Sequence, residues 1–229
     1  LPKHIGIAAV SPEGAALCYR DIFRYAGELL GESGHPVVTI HNEPFESYLA
    51  AVQRDDWHAV GELLIKSAEV LAKAGASFCI TPDNLMQHAV QLAEPRSAIP
   101  WLTMTDLVAE AITSDKRKTV GIIGTKMVCF GSTYQTVLGL KGVKVIAPNE
   151  ADAQAIDRII FDELVHGVVT DTSRELIFAA VRRLAERGAE GVILGSSETP
   201  LIIDEVTSPV PAYDATALLA EGAVRRAVA

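Results

Sequence analysis

The run Val120-Gly-Ile-Ile-Gly-Thr125 echoes Ile5-Gly-Ile-Ala-Ala-Val10, with glycine in the same second place. Each is a short apolar run that ends in small residues, the pattern of a buried strand opening into a loop. A second pair lies further along: Ala74-Gly-Ala-Ser-Phe-Cys-Ile-Thr-Pro-Asp83 against Arg187-Gly-Ala-Glu-Gly-Val-Ile-Leu-Gly-Ser196. Asp83 follows Ile5 by 78 residues and Ser196 follows Val120 by 76. A spacing so nearly preserved, and far longer than a solenoid repeat, points to an internal duplication and two similar domains.

Working outward, strand-like runs at 4–10, 36–41, 77–81 and 101–104 alternate with segments of helical period, and the same holds for 119–125, 143–147, 191–195 and 209–212. Alternation of this kind predicts an α/β fold, each half a parallel sheet flanked by helices. The segment 14–30 sets Ala15, Tyr19, Ile22, Phe23, Ala26 and Leu30 along one stripe, and 56–73 does so with Val60, Leu63, Leu64, Ala68 and Leu71. Helices are expected also at 133–138, 150–166 and 173–187. The predicted domains are 1–115 and 116–214, with a last helix at about 215–229 returning to the first. Ligands of open parallel sheets bind beyond the carboxyl ends of the strands, so Asp83 and Ser196 are expected to face one another across an interdomain cleft.

Composition narrows the function. The 229 residues are 49% apolar and 21% charged, which excludes a disordered chain. A net charge of −9 opposes binding to nucleic acid. No run approaches the roughly 18 apolar residues of a membrane span, and the first residues lack a signal-peptide pattern. A cytoplasmic protein is expected, with Leu1 a trimmed start. Cys18, Cys79 and Cys129 are odd in number and lack CxxC spacing, which argues against disulfides or a thiolate zinc site. His4, His35, His41, His58, His88 and His166 show no metal-binding spacing either, so no metal is expected. The stretch 121–124 is too short for a nucleotide-binding glycine loop.

Taken together, Ile5-Gly-Ile with Ser11 and Tyr19-Arg20, Asn84 with Met86, Gly121-Ile-Ile-Gly-Thr125, Gly191-Val-Ile-Leu-Gly-Ser-Ser-Glu198 and Ser208-Pro-Val-Pro-Ala-Tyr-Asp214 resemble the aspartate/glutamate racemase superfamily over nearly the whole chain. The resemblance implies a pseudo-symmetric two-domain fold, no cofactor and a homodimer. It also implies a small-molecule carboxylate as substrate, with Ser11, Asn84, Thr125 and Ser197 at the positions that hold it. Racemases of this family carry a cysteine in each half, one removing a proton from Cα and the other returning one to the opposite face.

Both cysteines are replaced. The first position of the Cys-Asn-Thr-x-His run is Asp83, the second cysteine is Ser196, the histidine after the first is Gln87, and a histidine frequent in the last helix is Leu219. His88 lies one turn beyond Asn84 and could stand in for the histidine lost at Gln87. Proton transfer beside a carboxylate needs groups that titrate near working pH. A carboxylate raised by burial can do this, whereas serine is a poor base unless another group takes its proton. Asp83 and Ser196 are therefore the candidate catalytic pair, with Glu198, Gln87 and His88 as possible assistants. The stretch His166-Gly-Val-Val-Thr170 has no lysine where some aspartate-specific members do, so a second carboxylate on the ligand is not expected.

The expected function is a cofactor-independent racemase or isomerase acting beside the carboxylate of a small amino acid or organic acid. The alternatives are a single-face lyase, decarboxylase or cyclase of the same superfamily, or a non-catalytic carboxylate-binding protein. Plainer roles compete at each position. Asp83 could cap a helix over 84–92, Ser196 could be a small residue at a turn, and Glu198 could start a helix. His88 could simply face solvent, Cys79 is expected in the core, and Asp115-Lys-Arg-Lys118 reads as a solvated link between the halves.

Overall fold

The computed structural model describes residues 2–229; Leu1, read above as a trimmed start, lies outside them. In the first unit β1 (Ile5–Ala9), β2 (Val38–Asn42) and β3 (Phe78–Ile80) form a parallel sheet in the order β2-β1-β3. In the second, β4 (Thr119–Gly124), β5 (Lys144–Ile146), β6 (Val192–Gly195) and β7 (Ala212–Asp214) are parallel in the order β5-β4-β6-β7. Each half thus builds its opening strand into the sheet centre, with the next strand on one side and the third on the other. All five residues of β1 are buried, as an unbroken apolar run covered on both faces requires.

The repeated glycine has a packing cause. A Cβ at Gly6 would lie 3.0 Å from the Cβ of Ala76 and 3.2 Å from that of Leu71; one at Gly121 would lie 2.9 Å from Leu184 Cδ1. Leu71 belongs to α3 (Trp57–Lys73) and Leu184 to α9 (Asp171–Glu186), so in each half the helix preceding the third strand packs directly onto the central strand's backbone. The remaining covering helices of the first unit are α1 (Pro12–Leu30), α2 (Phe45–Gln53) and α4 (Gln87–Ala93). The second unit has α5 (Met104–Ser114), α6 (Lys126–Phe130), α7 (Thr133–Leu140) and α8 (Glu150–Asp162). Each unit holds its own apolar core, around Leu64, Leu71 and Ala68 in the first and around Ile156, Ile177 and Val181 in the second.

Four expectations change. The run at 101–104 is no strand: Trp101 makes a single bridge to Cys79, and α5 already begins at Met104. The strand expected at 209–212 sits at Ala212–Asp214, because Pro209 and Pro211 have no N–H to give to a ladder. The helix expected over 150–166 ends at Asp162 and finishes in a 3₁₀ turn, Leu164–His166, closed by Gly167 at φ 70°. The first domain also ends earlier than 115. Residues up to Met104, with Thr216–Ala229, form one unit and Thr105–Ala215 the other. Asp115, just beyond α5, accepts the Tyr213 hydroxyl at 2.6 Å, which ties that helix's end to the second unit. Lys118 and Thr119 N–H groups bond Glu190 at 2.6 and 3.0 Å, so the exposed segment 115–118 is pinned as well as solvated. The last helix, α10 (Ala215–Val228), accepts at Ala227 O from Lys3 N, and its Arg226 lies 4.9 Å over the Phe78 ring.

Candidate functional site

Both halves place their candidate residues at the carboxyl ends of neighbouring strands. In the second unit Gly124 of β4 and Gly195 of β6 are partners in register, so Thr125 and Ser196 are the next residues on adjacent strands. In the first, Ile7 of β1 pairs with Ile80 of β3, and Ser11 and Asp83 follow on the same two strands. Each opening strand then turns into a helix through a hydroxyl cap. Ser11 Oγ accepts from Gly14 N at 3.1 Å to start α1, and Thr125 Oγ1 accepts from Val128 N at 3.4 Å to start α6.

Asp83 is half-buried, and its Oδ1 accepts from Leu85 N at 3.0 Å and Met86 N at 3.2 Å. The helix expected at 84–92 begins only at Gln87, so Asp83 organises an Asx-type turn over 84–86 ahead of it. That turn sets Asn84 in a buried position, 3% exposed. Gln87 is buried too; its amide reaches Thr81 O, Asp83 O and Met104 N. His88 does not stand in solvent: it is half-buried, with its ring edge-on to Trp57 at 5.2 Å and 84°.

In the second unit Ser196 has a carboxylate partner. Ser196 Oγ donates to Glu198 Oε2 at 2.8 Å, and Glu198 N returns a bond to Ser196 Oγ at 3.3 Å. Ser196, Ser197 and Glu198 are all buried, at 6%, 5% and 7% exposure. Glu198 thus both leads into the 3₁₀ turn Thr199–Leu201 and bonds the Ser196 hydroxyl. Thr199 Oγ1, bonded to Ser196 O at 2.8 Å, closes the loop from below.

Sequence reasoning missed several groups around the first strand ends. Asn42 Nδ2 donates to Ala9 O at 3.2 Å and Glu43 O at 2.8 Å, tying the ends of β1 and β2. Glu43 is a buried carboxylate held by Lys66 Nζ at 2.7 Å and by His41 Nε2 at 3.6 Å, while His41 Nδ1 meets Ser67 Oγ at 3.1 Å. Tyr48 lies in the same region, and burial pushes its phenol up to about 12. The one signal available beforehand was the polar trio His41-Asn-Glu43 closing an apolar strand.

The three cysteines lie in the interior. All are buried, and burial pushes the Cys79 and Cys129 thiols up to about 12, which keeps them protonated and unreactive near neutral pH. Cys18 and Cys129 are thus interior residues, as expected of Cys79. Among the described residues, no group of three or more His, Cys, Asp and Glu side chains is placed to hold a metal ion. Among them, too, no helix is long and apolar enough to cross a membrane.

Known proteins share this architecture along its length. The chain is 23% identical over 226 residues to the broad specificity amino-acid racemase RacX of Bacillus subtilis (strain 168), covering 96% of each. A proposed Asp/Glu racemase from Yersinia pestis superposes with a TM-score of 0.91 at 28% identity, over 99% of this chain and all of that one. An aspartate racemase homologue from Pyrococcus horikoshii OT3 gives 0.88 at 25% identity over the whole of both chains. The family model for Asp/Glu/hydantoin racemase matches residues 7–223, a span that takes in both strand-end clusters. With its doubled parallel sheets and its polar groups gathered where the duplicated strands end, the chain belongs to the Asp/Glu/hydantoin racemase family.

Proposed function

We propose that the protein is a racemase-like enzyme that moves a proton at the carbon beside the carboxylate of a small amino acid or organic acid, with Asp83 and the Ser196–Glu198 pair as its proton-transfer groups. The observation that carries the reading is the 2.8 Å bond from Ser196 Oγ to the buried Glu198 carboxylate. A lone serine hydroxyl is a poor base, but one whose own proton has an acceptor can take another. In the step envisaged the Cα–H bond breaks, its electron pair stays on the enolate, and the proton passes to Ser196 Oγ as the hydroxyl proton passes to Glu198 Oε2. Asp83 donates or accepts in the complementary half-reaction. Family membership over residues 7–223 supports racemisation.

The substrate carboxylate is assigned to the strand-end hydroxyls and amides at Ser11, Asn84, Thr125 and Ser197, of which Ser11 caps the start of α1. Incubation with individual amino acids in deuterated water tests the proposal. Loss of the Cα–H signal together with appearance of the opposite enantiomer is expected. Asp83→Asn, which keeps an acceptor oxygen for Leu85 and Met86, and Glu198→Gln should each abolish it while leaving the fold intact. Absence of exchange with every amino acid and 2-substituted acid tried would end the racemase reading.

A further inference from the structure

We propose that Gln87 is the positioning residue of the Asp83 turn, a reading that rests on the proton-transfer role assigned to Asp83. The family resemblance puts a histidine at this place, yet the structure shows a carboxamide whose hydrogen-bonding capacity is nearly spent on the backbone around Asp83. Nε2 donates to Thr81 O at 3.0 Å, on the residue that follows β3, and to Asp83 O at 3.1 Å. Oε1 accepts from Met104 N at 2.9 Å, the first N–H of α5. The side chain is 2% exposed, so water cannot replace these bonds if they are lost.

The three contacts do one mechanical job. Residues 81–86 are the connection between β3 and α4, and none of 81–83 has regular structure. Asp83 Oδ1 holds the turn from outside through Leu85 and Met86, and Gln87 holds it from inside through the carbonyls of Thr81 and Asp83. Fixing a residue's main chain on both sides of its side chain limits where the carboxylate can go. The bond to Met104 anchors the same amide to the point where the chain leaves the first unit.

Only a carboxamide has the needed set, two donors and an acceptor on one short stem. Ionised glutamate offers acceptors alone and would set a charge against two carbonyl oxygens. Methionine keeps the shape and loses all three bonds. Histidine can donate once and accept once. The expected order of turn integrity is Gln, then His, then Met, with Glu lowest.

Amide hydrogen exchange, resolved by mass spectrometry for peptides covering 83–87, reads this without any need for activity. Gln87→Met should speed exchange at Leu85 and Met86 about tenfold or more while 5–9 stays protected as in the parent. Should the methionine variant fail to fold, Gln87→His gives the same comparison with a smaller, several-fold change. Parent-like exchange at 83–87 in whichever of these variants folds would overturn the assignment, as would equal acceleration at 83–87 and 5–9.

The Cα-exchange assay adds the second readout. Gln87→Met should lower kcat by about 100-fold, the cost of a misplaced catalytic group, with KM within about twofold and partial recovery in Gln87→His. An equal rise in KM with kcat unchanged would overturn positioning. If the parent shows no Cα exchange at all, the proposed function fails by itself, and the hydrogen-exchange comparison still decides the role of Gln87.

Discussion

Replacing Gly124 by alanine should damage stability and site together, and the geometry gives the size. A Cβ built there would stand 2.7 Å from Gly195 O and 2.9 Å from Gly195 C, both backbone atoms of the paired strand. No rotamer can relieve that contact, so β4 and β6 must move apart at the end that carries Thr125 and Ser196. Overpacking of this kind costs about 1–3 kcal/mol, and a backbone obstacle belongs in the upper half of that range. For a chain of this length each kcal/mol lowers Tm by about 2–4 °C, so a fall of about 4–12 °C is expected. At Gly195 a Cβ meets Ile123 O at 3.1 Å and the tips of Ile122 and Val128 at 3.2 Å, so Gly195→Ala should be milder. At Gly139, in α7, nothing lies within 4 Å, and Gly139→Ala should stabilise by about 0.5–1 kcal/mol as a helix interior position. Thermal melts of the three variants followed by circular dichroism give the order. A Gly124→Ala protein that melts with the parent, or above Gly195→Ala, would refute the claim that this glycine pair sets the spacing of the strand ends.

Three other outcomes follow from the same contacts. Asp83→Ala should lose the turn acceptor and about 1 kcal/mol of stability in urea titration, whereas Asp83→Asn should not, which separates its structural from its chemical role. Stability should be full below about pH 9 and fall as pH rises toward 12. The buried thiols of Cys79 and Cys129, near 9 when unfolded, and the Tyr48 phenol, near 10, are all held up at about 12 by burial, so the unfolded chain gives up those protons first. Urea midpoints measured from pH 7 to 11 check the sign, and a flat or rising profile contradicts it. A disulfide reagent at pH 8 should leave all three thiols largely unmodified in the native protein and count three after denaturation; rapid native labelling would place at least one of them at the surface.

What could be read beforehand was the part of the fold written in periodicity and repetition. The paired runs around Gly6 and Gly121 located both central strands, because a strand buried on two faces leaves a continuous apolar signature and a helix lying on its backbone demands a glycine. What periodicity could not show was decided by single polar contacts. Whether 101–104 pairs as a strand depends on one bridge at Trp101 and one amide from Gln87. Whether α5 goes with the first or the second half depends on contacts such as Tyr213 with Asp115, 98 residues apart in the chain. The site divides the same way. Asp83 and Ser196 could be placed beforehand at the ends of the duplicated strands, and the structure puts them just beyond β3 and β6. Glu198 lies two residues from Ser196 in the sequence, but only the turn of the loop brings its carboxylate within 2.8 Å of the Ser196 hydroxyl. In the proposed function Asp83 acts directly and Glu198 through the Ser196 hydroxyl. If those groups move the proton, Cα exchange should survive the disulfide reagent that leaves the buried thiols unmodified, and loss of exchange on its addition would contradict a thiol-free site.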